Sequence, residues 1–127
     1  MPNTLRILFL LCALGWAGVI FYLSSQSGAD IPPLFVGEDK LLHAFIFGIL
    51  GVFTLGAMKT TAYGYRPFQL WLAVLLVTVY GVLDEFHQHF VPGRSPDILD
   101  VMADAAGAML GVWLLYSFIM TRLRTPA

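Results

Sequence analysis

Four apolar runs divide the chain, at residues 5–23, 41–58, 68–90 and 101–121, with short polar stretches between them. Each is close to the roughly 20 residues of helix needed to cross a hydrocarbon core. The pattern predicts an all-α fold: four transmembrane helices in a compact bundle. Polar positions within the runs recur at helical spacing. On the fourth run Asp100, Asp104, Gly107 and Gly111 fall within a narrow arc at about 100° per residue. Lys40, His43, Phe47 and Gly51 make a similar stripe on the second. On the third, Asp84, His87 and Gln88 share a face with Tyr80 and Gly81, and Glu85 and His89 form a neighbouring strip. Small residues let helices approach closely in lipid, so Gly107 and Gly111 predict a packing face turned into the bundle.

Composition removes the soluble alternative. Hydrophobic residues make up 58% of the chain and charged ones 12%, against about 25% charged in a soluble domain. Mean hydropathy is +0.78. A chain of 127 residues bounds one domain, residues 1–127, and has too much surface to cover so many apolar side chains in water. A net charge of −1 without any Lys/Arg run excludes a nucleic-acid footprint. Cys12 is alone, forms no internal disulfide and reads as a small apolar residue. Ser24-Ser25-Gln26-Ser27-Gly28-Ala29 resembles a signal-peptide cleavage region. The apolar run before it exceeds the usual length of about 7–15 residues, so this segment is read as an uncleaved span.

Charge then gives an orientation. Arg6, Lys59, Arg66, Arg122 and Arg124 border the termini and the middle loop, whereas of the other two loops the first holds Asp30, Glu38 and Asp39 before Lys40 and the third holds Arg94 and Asp97. The positive-inside rule puts both termini and the middle loop in the cytoplasm. Lys40, His43, Asp84, Glu85, His87, Gln88, Arg94, Asp100 and Asp104 then all fall toward the external side. Asp84 is expected about 10 Å inside the end of its run, from the helical rise of roughly 1.5 Å per residue. A charge at that depth needs a proton, a cation or an internal partner.

The cluster holds six acids (Asp39, Asp84, Glu85, Asp97, Asp100 and Asp104) against Lys40 and Arg94. Carboxylates sharing one site resist ionising together. The site is therefore expected to hold protons, take up a divalent cation or bind a cationic group. Carboxylate oxygens suit Mg²⁺ or Ca²⁺, and added imidazole suits Zn²⁺. Candidate ligands are His43, Asp84, His87, Asp100 and Asp104, although no local zinc signature such as H-E-x-x-H is present. In the turn before the fourth run, Ser95 is expected as the helix N-cap, with Pro96 at the first helical position and Asp97 near the positive dipole end. Arg94 is expected at headgroup level, suited to gripping a phosphate or carboxylate.

The ordered set Asp39-Lys40-x-x-His43 with Phe45, Phe47 and Gly48, Asp84-Glu85-x-x-Gln88, Pro92-Gly93-Arg94 and Asp100-x-x-x-Asp104-x-x-Gly107-x-x-x-Gly111 resembles the VanZ-like family of bacterial integral membrane proteins. That family is named for a glycopeptide (teicoplanin) resistance protein. The resemblance covers about Asp39 to Gly111. It implies a multi-pass protein of the bacterial cytoplasmic (inner) membrane, associated with tolerance of lipoglycopeptides that bind cell-wall precursors. One departure is Asp104, where the family usually has Asn.

Three functions fit these residues. In the first, Lys40, His43, Asp84, Glu85, Gln88, Arg94, Asp100 and Asp104 bind an envelope lipid headgroup or related ligand and alter teicoplanin susceptibility. In the second, a metal- or carboxylate-dependent enzyme acts on lipid-linked cell-wall precursors, with His43, Asp84 or Glu85 in acid/base roles. In the third, an oligomer packed through Gly107 and Gly111 transports protons or ions.

Overall fold

The computed structural model describes residues 1–27, 35–60 and 64–124. The expected turn at Pro32-Pro33, the charge of Asp30 and the Gly28-Ala29 end of the cleavage-like stretch lie outside the described residues. Four helices carry the fold: α1 (Asn3–Ser24), α2 (Glu38–Ala57), α3 (Pro67–Gln88) and α4 (Ile98–Arg124). All four are long and apolar enough to cross a membrane. The architecture is the all-helical one that the apolar runs predict, and only the helix ends move.

Those ends have local causes. Gly37, immediately before α2, adopts φ 87°, a left-handed conformation that favours glycine. It lets the helix begin at Glu38, early enough to include Lys40 in its first turn. Pro67 opens α3 at the position where a missing N–H costs nothing. At the far end of α3, the turn through Gly93 again needs positive φ, 75°. The start of α4 corrects the Ser95-Pro96 expectation. Asp97 is the cap, its Oδ1 accepting the Leu99 N–H at 2.9 Å. The helix therefore starts at Ile98, two residues later than expected, with Asp100 in its first turn.

Helices α2 and α4 run parallel and form the most extensive helix pair, with α3 antiparallel beside them. α1 packs on α2 and lightly on α3. The α2–α4 contact is backbone against backbone. A side-chain carbon at Gly107 would run into the Ala44 carbonyl, and one at Gly111 into the Gly48 carbonyl. A carbon at Gly51 would sit 2.9 Å from the Ala108 carbonyl oxygen. The expected glycine face is thus real and is used inside the chain.

Apolar side chains fill two layers below the polar ends. One holds Ile20, Phe47, Leu50, Val77 and Ala108; the other holds Leu55, Tyr65, Ala73 and Val112. The outer surface is also apolar: Leu14, Phe45, Trp71 and Trp113 are all more than half exposed. A protein in water would not leave these rings uncovered, whereas lipid solvates them. Midway along its length α1 is tied in by hydrogen bonds to backbone. Trp16 Nε1 donates to the Ile46 carbonyl at 2.9 Å, and Tyr80 Oη donates to the Ala17 carbonyl at 2.7 Å.

Substituting Gly107 by alanine should lower the thermal midpoint of the purified protein, costing about 1–3 kcal/mol by forcing α2 and α4 apart. Gly15→Ala, whose added methyl meets nothing within 4 Å, should show no loss in the same melt.

Candidate functional site

The close α2–α4 approach sets opposite one another the side chains one and two turns toward the helix starts. Lys40 Nζ lies 2.9 Å from Asp39 Oδ2, 2.9 Å from Asp97 Oδ2 and 3.0 Å from Asp100 Oδ1. One turn deeper, His43 Nδ1 is 2.9 Å from Asp104 Oδ1. Its ring stacks on Phe47, with centroids 6.0 Å apart and planes 9° from parallel. Phe47 belongs to the first apolar layer and marks the floor of the polar region.

α3 supplies the third wall. Gln88 Nε2 donates to Asp84 Oδ2 at 3.1 Å and to Glu85 Oε1 at 3.3 Å. Glu85 Oε2 accepts the Asp97 backbone N–H at 2.8 Å. In a capping box the helix's own third residue takes that N–H. Here the third residue, Asp100, is turned to Lys40, and a neighbouring helix provides the acceptor. Asp104 reaches α3 because position 81 has no side chain: a carbon there would lie 2.5 Å from Asp104 Oδ2.

Burial is extensive for so polar a group. Asp84, Glu85, Gln88 and Asp100 are at most 8% exposed and Asp104 is 0% exposed. Lys40 and Asp97 are partly exposed and form the rim. Two buried oxygens, Asp84 Oδ1 and Asp104 Oδ2, have no hydrogen-bond partner. Asp84 lies one turn from the end of α3, about 6 Å by helical rise. This is shallower than the run of apolar residues suggests, because the helix stops at Gln88 and not at Phe90.

Lys40, His43, Asp84, Glu85, Gln88, Asp100 and Asp104 are therefore brought together, and Asp97 and Asp39 join them. Arg94 and His87 are placed elsewhere. Arg94 donates to the Gln26 and Leu23 carbonyls at 3.3 and 3.4 Å, covering the negative C-terminal end of α1. His87 Nε2 lies 3.0 Å from Ser25 Oγ and its ring meets Phe21. His89 is exposed at the end of α3. Among the described residues the cluster then holds six acids and Lys40, which leaves five negative charges if all the acids ionise and His43 is neutral. Sequence reasoning missed Trp16, on α1, and Ser25, just past its end, which carry no local signal of their partners. It also missed the capping by Asp97, because Ser95 is an equally good cap by residue type.

One ring nitrogen of His43 and one carboxylate oxygen each from Glu85 and Asp100 lie within 4.8 Å of one another. Of the five expected metal ligands only His43 and Asp100 belong to this set. Chemically the cluster offers acceptors, one imidazole and few donors.

Fold and site together define a multi-pass helical membrane protein with a buried acidic cluster at one end of three helices. The chain matches the VanZ/LLP1 family over residues 9–120 and belongs to that family. No curated protein and no solved structure gives a significant match to it.

Gln88→Ala removes the donor shared by two buried carboxylates, and should cost about 1–3 kcal/mol in thermal or denaturant unfolding. At the rim, the Lys40 ammonium and then the Leu99 N–H hold the Asp97 carboxyl below the ordinary carboxylate range. A carboxyl held low in the folded state contributes stability above its unfolded value and loses it as pH falls through the folded one. Melting temperature should thus drop on acidification below about pH 4, and drop less in Asp97→Asn than in the wild type.

Proposed function

We propose that the acidic cluster is a ligand site on the external face of the bacterial cytoplasmic membrane. It takes the polar end of an envelope lipid or lipid-linked cell-wall precursor and thereby changes glycopeptide (teicoplanin) susceptibility. The observation that carries this reading is the pair of buried, unpartnered carboxylate oxygens, Asp84 Oδ1 and Asp104 Oδ2. Buried acceptors without donors are costly. A headgroup rich in hydroxyl, amide or ammonium donors satisfies them.

The partly exposed Lys40–Asp97 rim is the entrance from the interface, and the lipid-facing apolar rings let an acyl chain lie alongside the helices. Arg94, bound to the end of α1, acts by holding that helix and not by gripping the ligand. The positive-inside distribution supports the external placement, and membership of the VanZ/LLP1 family supports the link to glycopeptides.

Expression in a teicoplanin-susceptible bacterium should raise the inhibitory concentration of teicoplanin. Asp84→Asn and Lys40→Gln should return it to the level of the host at matched membrane abundance. Equal inhibitory concentrations with and without the wild-type chain, or full tolerance in both variants, would overturn the proposal.

A further inference from the structure

We propose that His43, Glu85 and Asp100 bind a divalent transition-metal ion of the zinc class, with Asp104 orienting the histidine. The donors come from three helices, α2, α3 and α4, so no local sequence motif announces them. Their candidate atoms already lie within 4.8 Å of one another. A tetrahedral shell with bonds of about 2.1 Å has edges of roughly 3.4 Å. Closure therefore needs the donor atoms to draw together by at most about 1.4 Å per edge.

The second shell is the stronger argument. Metal-binding histidines commonly donate their other ring N–H to a carboxylate, which fixes the tautomer and the ring plane. The Asp104 carboxylate is fully buried and 2.9 Å from His43 Nδ1. The proposal assigns the proton to Nδ1, facing Asp104, and the metal to the Nε2 lone pair. Phe47 stacks against the ring and restricts its rotation.

Two independent observations point to a cation as the occupant. Asp84, 5% exposed, has Oδ1 unpartnered, and its other oxygen shares the Gln88 amide with Glu85. The charge balance agrees, since among the described residues Lys40 pairs with three of the six acids and Arg94 is engaged by α1. An ion of charge +2 relieves this repulsion.

Ligand chemistry narrows the ion. One imidazole with two carboxylates suits zinc or manganese better than the all-oxygen shells of calcium and magnesium. Glu85 and Asp100 each have two oxygens. Glu85 Oε2 can keep the Asp97 N–H and Asp100 can keep Lys40 while the other oxygen turns to the metal. Three protein ligands leave a coordination position open, as in catalytic zinc sites.

The inference goes beyond the headgroup reading and is tested without any lipid precursor. Wild-type protein purified in detergent, stripped with chelator and dialysed, is titrated with Co²⁺ under its visible absorption and then competed with Zn²⁺. Saturable binding of one ion per chain, displaced by Zn²⁺, is expected. His43→Gln, Glu85→Gln and Asp100→Asn should abolish it. Asp104→Asn should weaken it by roughly tenfold, the lower end of outer-shell effects. His89→Gln, at an exposed histidine, should leave it unchanged. Circular dichroism confirms that each variant is folded, and the wild-type titration decides the matter even where a variant is not. No saturable Co²⁺ or Zn²⁺ binding to folded wild type, or binding that survives all three ligand substitutions or is lost with His89, would overturn the proposal. A wild-type chain that binds the metal but confers no teicoplanin tolerance would instead count against the headgroup reading alone.

Discussion

The approach of α4 to α2 at backbone distance is the constraint on which the rest depends. Gly107 and Gly111 lie against the Ala44 and Gly48 carbonyls, where no side chain fits. In lipid there is no hydrophobic force to bring helices together, so van der Waals contact between backbones carries much of the association. Because the two helices are parallel, the same register holds along their length. Ala44 faces Gly107, His43 faces Asp104 and Lys40 faces Asp100. A wider separation would break the two polar pairs, since neither carboxylate side chain is long enough to follow.

Parallel packing also makes the acids tolerable. The starts of α2 and α4 lie at the same end of the bundle, so two positive dipole ends converge there. Glu38 and Asp39 sit in the first turn of α2, Asp100 in that of α4, and Asp97 is the cap. Each is where a helix favours negative charge. Asp84 and Glu85 are the exceptions, near the C-terminal end of α3 where the dipole opposes them. Glu85 is compensated by accepting an N–H from the start of α4. That one hydrogen bond joins α3 to the parallel pair at the level where dipole ends of opposite sign meet.

The sequence made legible what depends on periodicity within one helix. The four runs, the Gly107/Gly111 face and the inward stripes of α2 and α4 all follow from apolar length and a spacing of about 3.6 residues. Helix ends were less legible because they depend on which oxygen captures the first N–H groups. Ser95 and Asp97 are both good caps by type, and only the Glu85 contact favours Asp97. Arg94 and His87 were illegible for another reason. Both end on α1, which is almost uniformly apolar until Ser24 and offers backbone carbonyls and Ser25 in place of a charged partner. Carbonyls at a helix end are present in every sequence, so composition cannot single them out.

The diversion of Arg94 has a consequence for what the site can accept. Placed among the acids, its guanidinium would have neutralised one carboxylate and filled the volume beside it. Bound to α1, it stabilises the C-terminal end of that helix and leaves the cluster with Lys40, which already contacts three carboxylates at the rim. The inner carboxylates, Asp84 and Asp104, receive one donor contact each, from Gln88 and His43. The gradient runs from satisfied at the rim to unsatisfied at the floor, where water is least able to help. Such a gradient favours an occupant that brings positive charge or hydrogen-bond donors inward, and it disfavours a bare anion. Both the headgroup and the metal follow from that polarity, because each is a way of bringing donors or positive charge to buried acceptors.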